Sequence, residues 1–88
     1  MTAAERAAKT ARLEARIAAE YRSAARAFVA SGREATEEQL QDFAGSRYAG
    51  TAEYRKCEQR GEAADYWLLV IDGVRRALEE IGVEVLST

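Results

Sequence analysis

An 88-residue chain with a net charge of −2, no histidine, no proline and one cysteine is long enough for a single domain with a modest core. The missing histidine excludes Ser-His-Asp and Cys-His nucleophiles and every imidazole metal site, and one cysteine excludes an intrachain disulfide and a thiolate zinc site. No Gly-x-x-x-x-Gly-Lys or Gly-x-Gly-x-x-Gly stretch occurs, which removes the familiar phosphate-cradling loops.

The chain opens with a long run of good helix formers, and the reading is one helix over about 3–31. Leu13, Ile17, Tyr21, Ala24 and Phe28 recur at spacings of four, four, three and four, the stripe of an amphipathic helix. Lys9, Arg12, Arg16 and Glu20 fall opposite it. Ser31-Gly32 supplies a stop, with glycine suited to a left-handed cap.

Thr36-Glu37-Glu38-Gln39 is a capping box. It predicts a short helix over about 37–44, ended by Gly45-Ser46. Gly50-Thr51 offers another cap, for a helix over about 52–60. Gly61 either stops that helix or lies inside a longer one.

Residues 65–86, "DYWLLVIDGVRRALEEIGVEVL", admit two readings. Asp72-Gly73 can be a tight turn in a strand–turn–helix. Against that, Ala64, Trp67, Ile71, Val74, Leu78, Ile81 and Val85 follow one another at alternating spacings of three and four. This is a heptad seam, and period-two alternation is absent. The expected element is a helix over about 62–81, capped by Gly82 and followed by an extended tail at 83–88. Gly73 is a cost within it, about 1 kcal/mol. The predicted architecture is therefore all-α: a small helical bundle with long first and last helices joined by one or two short helices. Its expected core sets Trp67, Ile71, Val74, Leu78 and Ile81 against Leu13, Ile17, Tyr21 and Phe28.

Charge is unevenly distributed. Residues 1–33 carry seven basic and three acidic side chains, whereas residues 34–88 carry six basic and twelve acidic ones. Two such segments packing together, within or between chains, is the simplest account. The N-terminal "MTAAERAAKTARLEAR" is charged throughout, unlike a secretory leader. The longest apolar run, Tyr66 to Ile71, is too short to cross a bilayer. The expectation is a cytoplasmic protein without a membrane partner.

Candidate chemistry is sparse. Cys57 reads as a small inward-facing residue beside Tyr54. Glu58, Glu62 and Asp65 read as a solvated face. Neither supports a cofactor, a metal, a small-molecule substrate or a catalytic role. Tyr66, Trp67, Leu68 and Leu69 form an apolar girdle around the last helix, which a domain of this size struggles to cover alone; they are the expected protein interface. Lys9, Arg12, Arg16, Arg22 and Arg26 are the candidate contacts for an anionic partner. The expected function is non-enzymatic protein–protein binding, with the chain acting as a homodimer. The alternatives are a phage-type inhibitor of a host complex, acting by steric block or acidic mimicry, and a nucleic-acid-binding regulator using the basic first helix.

Overall fold

The computed structural model describes residues 2–87, so the last residue of the expected tail, Thr88, lies outside the described residues. Among these, the chain forms four helices and no strand: α1 (Ala3–Ala30), α2 (Glu37–Tyr48), α3 (Ala52–Gln59) and α4 (Ala63–Glu80). Three helices start on threonine. The hydroxyls of Thr2, Thr36 and Thr51 accept hydrogen bonds from the backbone N–H of Glu5, Gln39 and Tyr54, each at 3.2 Å. Each bond satisfies one of the amides that a helix start leaves without an internal partner.

The helix ends follow from glycine. Gly61 and Gly82 have φ of 75° and 82°. Each closes its helix with the paired bonds of a Schellman motif. Glu62 N–H donates to the Cys57 carbonyl at 2.8 Å and Gly61 N–H to Glu58 at 3.1 Å; Val83 N–H donates to Leu78 at 2.9 Å and Gly82 N–H to Glu79 at 3.0 Å. Gly61 therefore separates α3 from α4, and most of residues 65–86 is one helix. The tail beyond it returns to the start of α2. Leu86 donates to the Ala35 carbonyl and accepts from Glu37 N–H, at 2.9 and 2.8 Å. The C-terminal ends of α1 and α4 thus lie at the same end of the molecule.

The short second helix runs beyond its expected stop. Gly45-Ser46 does not end it; α2 continues for most of another turn to Tyr48. A mid-helix glycine costs about 1 kcal/mol, and the extension repays this by burying Tyr48. The Tyr48 hydroxyl donates to Glu20 Oε1 of α1 at 3.1 Å, and Arg47 Nε donates to the same oxygen at 3.0 Å.

The core joins the C-terminal half of α1 to α2 and α4. It consists of Ala24, Ala25, Phe28, Leu40, Ala44, Tyr48, Val70, Val74, Ala77 and Leu78. Phe28, Leu40, Val74 and Leu78 are its largest fully buried side chains, each contributing about 1.5–3 kcal/mol. Phe28 meets Phe43 edge to face, centroids 5.4 Å apart. The expected core is corrected at both ends. Leu13, Ile17 and Ile81 are exposed, and Trp67 and Ile71 are only partly buried. At the middle of α4, Val70 and Ala77 take buried places that the seam did not include.

Length explains the correction in α1. At 1.5 Å per residue, this helix is about 42 Å long and α4 about 27 Å. The short α2 and α3 cannot cover the remainder, and every residue in the segment 3–17 is exposed. The first half of α1 is an arm projecting from the body, and the molecule as a whole measures 46 × 31 × 19 Å. Ile81 fails for a different reason. It is the C-cap of α4, and Val83 and Val85 pack against the core in its place.

Gly73 has a specific function in this packing. A Cβ built on it would lie 2.3 Å from Cε2 of Tyr21 and 2.5 Å from Cδ2. The missing side chain lets the Tyr21 ring lie directly on the α4 backbone. This is where α1 locks onto α4.

Candidate protein interface

The apolar girdle divides into two parts. Tyr66 and Trp67 are partly buried against the core. Both belong to an aromatic cluster with Tyr54 of α3: the Trp67 ring centroid lies 4.9 Å from Tyr54 and 5.5 Å from Tyr66. The Tyr66 hydroxyl is 3.2 Å from Thr51 Oγ1. These two residues therefore fasten α3 to α4 within one chain. By contrast, Leu68 and Leu69 are 69% and 64% exposed and make no such use of their side chains.

The structure adds to the exposed apolar set three residues that the sequence placed in the core, Ile81 at the end of α4 and two in the arm. Leu13 and Ile17 of the arm are 49% and 44% exposed. Their spacing could not reveal this, because the stripe runs unbroken into the buried part of α1. The end of the arm lies next to Leu69. Ala18, Tyr21 and Arg22 of α1 line one groove of about 250 Å³ together with Leu69, Asp72 and Gly73 of α4. Around the other side of Leu69 is a shallow depression of about 210 Å³, lined by Cys57, Glu62, Asp65 and Tyr66. Cys57 is partly buried there. The depression has an apolar floor and an acidic rim.

The electrostatics favour the same region. Lys9, Arg12, Arg16, Arg22 and Arg26 are exposed along α1. The ion pairs among the described residues are Arg33–Asp42, Arg47–Glu20, Arg75–Glu37, and Arg75 and Arg76 with Asp72. None of the five α1 cations takes part, and neither do Glu62 and Asp65. The pairs that do form tie the body together: Arg47–Glu20 joins α2 to α1, and Arg75–Glu37 joins α4 to α2. Glu58 beside the Tyr54 hydroxyl raises its pKa above the ordinary phenol value. Burial does the same for Tyr21. Both tyrosines are therefore neutral hydrogen-bonding groups at physiological pH.

No group of three or more metal-ligating side chains converges among the described residues. Gly61 separates Glu58 from Glu62 and Asp65, which do not share a helix face as they would in an unbroken helix. No helix among the described residues is long and apolar enough to cross a membrane. No family model, curated protein or solved structure matches this chain.

Proposed function

We propose that this chain is a non-enzymatic helical module that works by binding protein, and in the first place a second copy of itself. The observation that carries this reading is surface left over. The chain exposes 6196 Å². A compact monomer of its mass, 9.7 kDa, is expected to expose about 5,100 Å². The excess, about 1,000 Å², is what one partner contributes to a standard-sized protein interface, about 800 Å². The radius of gyration agrees: 14.6 Å against about 12 Å for a compact domain of this length.

The excess has a defined place and composition. It includes the arm and the outer face of α4, where Leu13, Ile17, Leu68 and Leu69 stand exposed. Val29, Ile81 and Leu86 are comparably exposed at the opposite end of the molecule, and the set on the arm and α4 is the larger; exposed aliphatic side chains of this kind characterise a surface that another molecule covers. Sedimentation velocity at micromolar concentration tests the reading. A dimer is expected, and Leu69→Glu should shift it toward monomer without loss of helix. A wild-type chain that sediments as a monomer at all accessible concentrations, with undiminished solubility, would remove self-association from the reading.

A further inference from the structure

We infer that two copies associate by exchanging arms: the segment 3–17 of each chain lies over the α3–α4 corner of the other. This rests on the self-association proposed above and says which surfaces meet. Three features of the structure lead to it. The arm is the first half of an amphipathic helix and has no partner in its own chain, since none of its residues is even partly buried. Its apolar stripe offers Leu13 and Ile17, and the corner offers exposed Leu69 above the depression at Cys57.

The second feature is charge. The arm carries Arg6, Lys9, Arg12 and Arg16 against Glu5 and Glu14. The rim of the depression is acidic, with Glu62 and Asp65, while Arg55, Lys56 and Arg60 stand exposed elsewhere on α3 and its cap; none of these, nor any cation of the arm, has an ion pair within the chain among the described residues. Arms laid on each other would bring together two positively charged surfaces. An arm laid on the corner brings opposite charges together at the edge of an apolar contact, which is how interfaces set register and orientation. The third feature is position. The end of the arm at Ala18 lies beside Leu69 of its own chain. A two-fold axis near that point carries each arm over the other chain's corner, and both contacts repeat by symmetry.

Charge exchange tests the pairing. Two double variants, Arg12→Glu with Arg16→Glu and Glu62→Arg with Asp65→Arg, reverse the arm and the corner respectively. All four residues are exposed, so circular dichroism of each variant should match wild type. Each variant alone should self-associate at least about tenfold more weakly, because every interface then opposes like charges at two contacts. Mixed one to one, they should form a heterodimer within about threefold of the wild-type affinity. A control pairs the corner variant with Arg22→Glu plus Arg26→Glu, which changes net charge equally but lies outside the arm; this variant keeps its own arm and corner and still dimerises with itself, but the heterodimer should not recover. A dimer unaffected by either reversal, or equal recovery with the control, would overturn arm exchange while leaving self-association standing. A monomeric wild type would overturn both.

Discussion

Replacing Gly73 by alanine sets two effects of known sign against each other. Alanine is favoured over glycine inside a helix by about 1 kcal/mol, so an open site would gain stability. Here the new Cβ would lie 2.3 Å from Tyr21 Cε2, whereas carbon atoms at optimal contact stand about 3.5–4.0 Å apart. The ring has to retreat by more than an ångström, and α1 moves with it or the ring leaves its rotamer. Overpacking of this kind costs about 1–3 kcal/mol. The expected net change is a loss of up to about 2 kcal/mol, or roughly 4–8 °C of melting temperature for each kcal/mol in a domain of this size. In a Tyr21→Ala background the obstacle is gone and the sign reverses: Gly73→Ala should then stabilise by about 1 kcal/mol. Urea titrations followed by far-ultraviolet circular dichroism measure all four corners of the cycle, at one fixed protein concentration because association adds to apparent stability. Equal gains in both backgrounds would refute the close approach of Tyr21 to the α4 backbone.

Two further outcomes follow from burial and charge. Leu78→Ala, at a fully buried site, should cost about 2–5 kcal/mol, while Ile81→Ala, one turn on along the same seam but exposed, should stay within about 0.5 kcal/mol; similar losses from both in a thermal melt would restore the full seam as core. Burial first, then the Glu20 carboxylate, raises the Tyr48 pKa well above the ordinary phenol value. The folded chain therefore keeps this proton when the unfolded chain would release it, so the contribution is complete below about pH 10 and is lost as pH rises beyond that. The urea midpoint of the wild type should fall more steeply than that of Tyr48→Phe between about pH 10 and pH 12, and parallel profiles would contradict the assignment.

The sequence announced the element boundaries wherever a side chain makes them. Thr36 and Thr51 declare their helix starts by chemistry that acts within one turn, and Gly82 declares an end in the same way. The seam in residues 65–86 likewise distinguished helix from strand, because period is a local property. Depth of burial is not local. Leu13 and Ile17 have the same spacing as Ala24 and Phe28, and only the shortness of the other three helices leaves the first pair uncovered. Alanine hides the core from a reader of sequence: Ala24, Ala25, Ala44 and Ala77 are buried, while Ala3, Ala4 and Ala11 are fully outside. Gly45, expected as a stop, and Gly73, expected within the helix at a cost, have one thing in common. Each looks like a local cost, and what offsets it lies on another helix, at Glu20 and Tyr21. As for the candidate interface, the girdle was legible as four apolar neighbours, but its division into an internal pair and an outward pair depends on Tyr54, which reaches it from α3.

The position of Trp67 governs what spectroscopy of this protein will report. Its indole is the chain's sole one, and it stacks among tyrosines at the joint between α3 and α4. α3 contributes no buried residue, so little holds that helix down beyond this cluster, and elements so held open at low free energy while the rest stays folded. Emission therefore monitors a hinge-like outer segment, whereas ellipticity is dominated by α1 and α4. The two signals need not share a midpoint, and a melt followed by fluorescence would understate the stability of the body to which the arm is attached.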